Sequence, residues 1–298
     1  MSFVSGQDVC NGLENLPVFY EGKVSQDDLP LFQYSAENVP GPGCEIDPNE
    51  VTLLGCDCHS QSCQQGSCSC LQAHGQAYDG QGRLKDHRED ETEYSRPVFE
   101  CNVLCGCSEA CSNRVVQRGL SLRLGVFPAH GKGWGVRALE PMPRGTFVCE
   151  YAGEVIGTEE ARRRQRAQKP GDMNYIIAVT EHAGGGKLGE TIVDPVAVGN
   201  VGRFLNHSCR PNLFMVPVRV HSLAPRLALF AGRDIAPQEE LTFDYSGGYN
   251  NPRGKEPRPP QGDRRTDGEE APERKPCHCG AQDCGLFLPL DLSVISNA

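Results

Sequence analysis

Residues 202–212 read Gly-Arg-Phe-Leu-Asn-His-Ser-Cys-Arg-Pro-Asn and bring together an amide–imidazole pair, a thiol and a proline-stiffened turn. Asn206 and His207 offer hydrogen-bonding groups to a polar ligand, and Cys209 offers a thiolate to a metal. Upstream, Gly-Lys-Gly-Trp-Gly-Val-Arg at Gly131 to Arg137 sets three glycines around the single tryptophan, so backbone can approach a ligand closely beside an indole. Downstream, Leu-Thr-Phe-Asp-Tyr at Leu241 to Tyr245 ends in a phenol. Read alone, His207 also suits a buried, hydrogen-bonded imidazole, and Gly131 to Arg137 also suits a plain hairpin.

The 16 cysteines carry a second chemistry. Cys56, Cys58, Cys63, Cys68 and Cys70 follow C-x-C-x4-C-x4-C-x-C, and Cys101, Cys105, Cys107 and Cys111 follow C-x3-C-x-C-x3-C. Nine is odd, so disulfides alone would leave a thiol over. Alternate residues of a straight strand lie about 6.6 Å apart, whereas two thiolates on one zinc, each at about 2.3 Å, lie within about 4.6 Å. Each C-x-C therefore curls or feeds two metals. Three zinc ions need twelve places, which nine thiolates fill if three of them bridge. Cys277, Cys279 and Cys284 form C-x-C-x4-C, one ligand short of a closed tetrahedron. Cys149, inside an apolar run, reads as core; Cys10 and Cys44 read as ordinary free thiols.

The elements that must position these groups are mostly strands. Short β-rich runs separated by Gly and Pro cover 122–127, 135–139, 146–156, 174–180, 191–193, 215–221, 227–231 and 240–243. One helix is predicted from Thr158 to Gln168, with Thr158 as N-cap, Glu159 and Glu160 in its first turn and Pro170-Gly171 as its stop. Ala183 to Lys187 reads as a hairpin turn. The basic run Arg162 to Arg166 reads as a solvated helix face. Residues 71–97 are charged and loop-like, and residues 251–276 mix prolines with charges and contain no aromatic, as a tether would. The expected organisation is an N-terminal arm (1–54) packed on later modules, a metal-held module (55–113), a catalytic domain (119–246), a flexible linker (247–276), a second metal module (277–290) and a tail (291–298).

That ordered set of motifs, with cysteine blocks on both sides, resembles the SET-domain protein lysine methyltransferases of the subclass with pre-SET and post-SET zinc modules, from about Gly55 to Leu290. The resemblance implies a mainly β fold: a SET-domain β fold with knot-like threading, in which 203–212 lies beside the C-terminal strand, flanked by a Zn3Cys9 pre-SET module and a ZnCys4 post-SET module. Such threading departs from the usual unthreaded connection. It further implies that Lys132, Gly133, Trp134, Tyr175, Arg203, Asn206 and His207 contact S-adenosyl-L-methionine, and that Cys209 closes the post-SET zinc site. Tyr245 matches the tyrosine at the methyl-transfer centre and Tyr151 the one beside the target amine. Phe243 falls at the Phe/Tyr switch position, where the missing hydroxyl leaves room for more than one methyl. The implied substrate is the histone H3 tail or nucleosome, at lysine-36 or lysine-4, with mono- or dimethylation in the nucleus on chromatin. The peptide is expected to add as a strand in a groove walled by the post-SET segment.

Charge and composition agree with a basic partner. The formal net charge is −10, falling to about −15 if thirteen thiolates hold four zinc ions; a phosphate-binding surface is disfavoured. No run approaches a membrane span of roughly 18 apolar residues, and the N-terminus has no secretory signal pattern, so reduced cysteines and a monomer without membrane contact are expected. One branch of the family is fused to a transposase; no such extension follows Ala298, so transposon-DNA binding is not expected. Two alternatives remain: a lysine methyltransferase for a non-histone protein, and a catalytically weak zinc-stabilised chromatin scaffold. The scaffold would have no use for Tyr175, Arg203, Asn206, His207 and Tyr245.

Overall fold

A computed structural model describes residues 6–22, 29–64, 66–85, 97–169, 171–183, 186–246 and 275–289. The arm contributes β1 (Phe19–Tyr20), β2 (Gln33–Tyr34) and β3 (Val39–Pro40); α1 (Ser69–His74) and β4 (Val98–Phe99) lie in the cysteine-rich module, and a 3-10 turn at Val116–Arg118 leads out of it. There follow β5 (Leu124–Ala129), β6 (Gly133–Ala138), β7 (Phe147–Glu150), β8 (Gly153–Ile156), α2 (Thr158–Ala167), β9 (Ile177–Ala183) and β10 (Gly186–Gly199). A second 3-10 turn at Val201–Phe204 precedes β11 (Asn206–His207), β12 (Leu213–Arg219), β13 (Arg226–Ala231) and β14 (Glu240–Phe243).

Three sheets result. Their orders are β1-β5-β6-β14-β11, β2-β10-β8-β3 with β9 also on β10, and β4-β12-β13-β7. Each arm strand pairs in parallel with a later one, β1 with β5, β2 with β10 and β3 with β8, so the arm completes sheet edges that would otherwise expose unpaired backbone. Val18, Tyr20 and Tyr34 enter the same core as Leu124, Val136, Leu213, Leu229 and Leu241. Strand β13 is apolar in nearly every position because β12 and β7 flank it and both faces are covered. A second core of Tyr78, Phe147, Val218 and Phe230 lies under the cysteine-rich module. There Glu100 accepts from the Tyr78 hydroxyl and the Val115 and Val116 N–H groups at 2.7–2.9 Å, and so fastens the module to the domain.

The expected run 146–156 is two strands in different sheets. The chain crosses between them at Tyr151 and Ala152 because Gly153 passes so close to β10 that a Cβ would stand 2.6 Å from the Asp194 carbonyl. The helix caps on Gly157 instead of Thr158, whose hydroxyl turns to Glu190. Strand β10 is far longer than the expected 191–193, since it pairs in turn with β9, β8 and β2. A short helix that begins directly after Cys68 runs into the stretch 71–97 as far as His74, and Tyr78 is fully buried, so only part of that stretch is loop. Arg164 is not solvated: it bonds Glu154 and Asp194 at 2.7 and 2.8 Å, tying α2 to the sheet. The hairpin residues 184 and 185, the stop residue Pro170, most of the linker (247–274) and the tail lie outside the described residues.

Candidate active site

The sheet switch at Tyr151 aims its ring at the end of β14. Phe243 lies between two tyrosines, its ring centroid 5.9 Å from Tyr151 and 4.9 Å from Tyr245. Both hydroxyls are spent on main chain: Tyr151 donates to the Tyr175 carbonyl at 2.5 Å and Tyr245 to the Leu205 carbonyl at 2.8 Å. Burial pushes both phenols well above their ordinary value, so they stay protonated and neither serves as a base at neutral pH. With the proton directed at a carbonyl, each phenol oxygen keeps lone pairs for an incoming N–H donor.

Strands β11 and β14 pair in parallel, Asn206 with Thr242 and His207 with Phe243, which sets 203–212 beside the last strand of the domain. Asn206 donates to the Trp134 carbonyl and to Glu240, each at 2.9 Å, and Lys132 meets the same carboxylate at 2.6 Å. Trp134 packs on Tyr20 and Phe204, centroids 5.2 and 6.5 Å away. The buried Arg203 donates to the Pro195 carbonyl and lies over Phe32, Phe204 and Tyr175 at 4.2, 5.2 and 5.5 Å. These residues form an aromatic floor with a cation at one end and an ion-paired ammonium at the other. Gly133 has φ +75 and no atom within 4 Å of an added Cβ, so backbone there is open to a ligand. This donor set fits a methionyl–adenosine group, with aromatic faces for a base and cations for a carboxylate.

His207 spans two modules. The Tyr245 N–H donates to its Nδ1 at 3.3 Å, which leaves the ring proton on Nε2, 3.5 Å from the Cys209 sulfur. Burial lowers its pKa against the pull of Asp244 at 3.6 Å, so the ring is neutral. Cys209 in turn stands 4.0 Å from the sulfurs of both Cys277 and Cys284, and with Cys279 these four sulfurs all lie within 4.8 Å of one another. Arg210 bonds Asp283 at 2.7 Å, and the His278 ring faces Gly131. The C-terminal segment is thereby drawn against the Lys132 loop.

The nine upstream cysteines also converge. Cys56, Cys58, Cys63 and Cys68 form one set of neighbouring sulfurs, Cys56, Cys70, Cys101 and Cys105 a second, and Cys56, Cys63, Cys101 and Cys107 a third. Cys56, Cys63 and Cys101 recur between sets, with Cys56 to Cys63 at 3.7 Å and Cys63 to Cys101 at 3.6 Å, inside the about 4.6 Å span of two thiolates on one zinc. These three fit the bridging role that the ligand count demands. Cys111 accepts from the Cys63 N–H through its sulfur at 3.3 Å and lies beside Cys107, next to the third set. All the cysteines are unpaired thiols.

A family model described as SET domain matches residues 133–246, and one described as Pre-SET motif matches residues 10–114. The chain is 51% identical over 288 residues to human histone-lysine N-methyltransferase SETMAR, covering 96% of this chain and 40% of that protein. To the mouse protein of the same name it is 51% identical over 291 residues, covering 97% of this chain and 90% of the relative. The chain belongs to the SET-domain histone-lysine N-methyltransferase family. The crystal structure of the methyltransferase domain of human SETMAR superposes with a TM-score of 0.80 at 49% identity, covering 95% of this chain and 98% of that one. KRYPTONITE, solved with mCHH DNA, an H3(1-15) peptide and SAH, superposes with a TM-score of 0.71 at 28% identity over 96% of this chain and 54% of that one.

Tyr151, Phe243 and Tyr245 form one group, Lys132, Gly133, Trp134, Tyr175, Arg203, Asn206 and His207 a second beside it, and the predicted cysteine ligands two sulfur clusters, of which the one at Cys209 adjoins His207. Sequence reasoning missed the residues that hold them. Glu240, which pairs Lys132 with Asn206, looked like one more acidic residue opening a strand. Tyr20 and Phe32 of the arm build the aromatic floor; the available signal was the density of aromatics in an otherwise aperiodic segment.

Proposed function

We propose that this chain transfers a methyl group from S-adenosyl-L-methionine to a lysine of the histone H3 tail on chromatin, with lysine-36 and lysine-4 as candidates and mono- or dimethyl lysine as product. The observation that carries this reading is the pair of tyrosine hydroxyls, both turned to main-chain carbonyls around Phe243. A free lysine, with a pKa near 10.4, reaches such a site protonated. Transfer into a buried site disfavours the ammonium, so its proton passes to solvent water as the side chain enters, and the nitrogen lone pair is freed. The neutral amine then donates its two N–H groups to the oxygens of Tyr151 and Tyr245, which points the lone pair along a single line. When bound, S-adenosyl-L-methionine supplies a methyl already activated on a sulfonium. Lys132, Gly133, Trp134, Tyr175, Arg203, Asn206 and His207 would hold it, and the chain's part is placement and exclusion of water. Phe243 leaves space beside the amine where a hydroxyl would hold a water or restrain a methylated nitrogen.

The test is to incubate the chain with labelled S-adenosylmethionine and recombinant nucleosomes, free histone H3 or nuclear extract, and to map the modified lysine. Label on H3 that disappears in Tyr245→Phe supports the proposal; label on another protein alone points to a non-histone substrate, and no transfer to any acceptor points to a scaffold. Phe243→Tyr is expected to shift the product toward monomethyl lysine, and an unchanged product ratio by mass spectrometry would sink the assigned role of Phe243.

A further inference from the structure

Away from Tyr245, the described residues line an open cavity of ≈ 560 Å³ between the arm, the 3-10 turn at Val116–Arg118 and strands β7 and β13. Three carboxylates, Glu14, Glu37 and Glu150, line it with Arg226. Arg226 donates to Glu37 at 2.8 Å and stands 3.6 Å from one oxygen of Glu150. Arg118 also lines the cavity, but its guanidinium donates to the carbonyls of Glu109 and Cys111 and offers these acids nothing. Among the described residues Glu14 accepts from neutral donors, the Tyr34 hydroxyl at 2.9 Å and the Leu120 N–H.

Negative charge is therefore in excess, and the excess is buried. Glu150 is 5% exposed and its Oε1 has no partner among the described residues; Asn38, 3% exposed on the same wall, has an unpartnered Nδ2. Native interiors rarely leave such groups unmatched. Burial pushes the Glu150 carboxyl up to about 7 despite the shared Arg226, the response of a carboxylate short of positive charge. The cavity falls within the range of about 300–1,000 Å³ seen for small-ligand sites, and Glu37, with a side chain 50% exposed, marks its mouth.

We propose that this cavity binds an organic cation, a guanidinium or primary ammonium group with a nearby carbonyl or hydroxyl oxygen, whose N–H meets Glu150 Oε1 and whose oxygen accepts from Asn38 Nδ2. The occupant would bear directly on the active site. Glu150 immediately precedes Tyr151, its carbonyl is held by Asn200 at 2.9 Å, and the next peptide N–H bonds Leu227 at 2.8 Å. The same chemistry can come from a free metabolite amine or from an arginine or lysine side chain of a peptide.

Calorimetric titration of the full chain with argininamide, and separately with a capped Gly-Arg-Gly tripeptide, distinguishes those sources by which binds more tightly. We expect saturable one-to-one binding. Glu150→Gln should weaken it at least about tenfold, the scale of a lost charged hydrogen bond, and Glu37→Gln, at the mouth where folding is least disturbed, about threefold. Absence of saturable binding for both probes would overturn the proposal, as would affinities unchanged in both variants. If Glu150→Gln fails to fold, the Glu37→Gln result alone decides in either direction.

Discussion

The two cysteine clusters use the same ligand atom in opposite surroundings. In the nine-cysteine cluster Cys56, Cys68, Cys101 and Cys111 are at most 1% exposed and, with Leu71, they are the module's own core. In the four-cysteine cluster all members are partly exposed, and the segment that carries three of them touches the domain through Cys209, Arg210, the Lys132 loop and the Gly171 and Asp172 carbonyls, to which Lys275 donates. The first module has replaced apolar burial by metal, so metal is its folding energy. The second is a clasp laid over a domain that already has its own core. Ligand identity thus says little about what a metal site does; the burial of the ligands and the sequence distance they close say more.

The largest effect should come from a bridging cysteine. Cys101→Ser leaves two ions incompletely held, and with structural zinc contributing upwards of about 10 kcal/mol in small peptides, a loss of about 5 kcal/mol or more is expected. That corresponds to a fall of about 10–20 °C in melting temperature, or to insoluble protein. Calorimetry that placed this variant within a few degrees of the parent would erase the contrast between the clusters.

A smaller and different effect is expected for the clasp. Cys279→Ser and Cys209→Ser should each lose one zinc by elemental analysis and leave the melting temperature within about 3 °C, because the sheets do not depend on them. Peptide KM should rise by roughly tenfold, as a groove wall worth about 1.4 kcal/mol would require. Cofactor affinity should change less than peptide use in Cys209→Ser, and equal losses in both would argue that Cys209 serves the cofactor site instead. Chelator-treated protein that kept full activity at saturating cofactor would likewise contradict the clasp.

The smallest effect sharpens the comparison at its edge. Arg210 and Asp283 are 65% and 37% exposed, so their ion pair contributes no more than about 1 kcal/mol. Arg210→Ala should raise peptide KM by about threefold at low salt and match the parent at high salt, where the pair is screened. A salt-independent defect would mean that Arg210 contacts the peptide itself.

Much of the site was legible because its chemistry is countable. Nine thiols, six of them in three C-x-C pairs, admit few solutions, and the places still open demanded three bridges, which Cys56, Cys63 and Cys101 fit. The motif at 202–212 was legible through resemblance, and its partners Trp134 and Glu240 lie where the pairing of β6, β14 and β11 brings them. What escaped was set by tertiary approach. The break after Glu150 comes from Gly153 passing under Asp194, and nothing in the apolar run 146–156 announces it. Strands β1 to β3 are two residues long, too short for any period, and exist because edges of β5, β10 and β8 need partners. Arg164 looked solvated because two of its acidic partners, Glu154 of β8 and Asp194 of β10, lie off its own helix and reach it only through the packing of α2 on the sheet.

The separation of Cys209 from Cys277, 68 residues along the chain, has a consequence in time. On the ribosome the nine-cysteine cluster owns all its ligands once Cys111 emerges, and it can load metal while the catalytic domain is still being made. The four-sulfur site stays incomplete through all of that domain's synthesis and closes only when Cys284 appears. The two sites therefore gain their last ligand in a fixed order, and the sheets can form before the C-terminal segment closes over them.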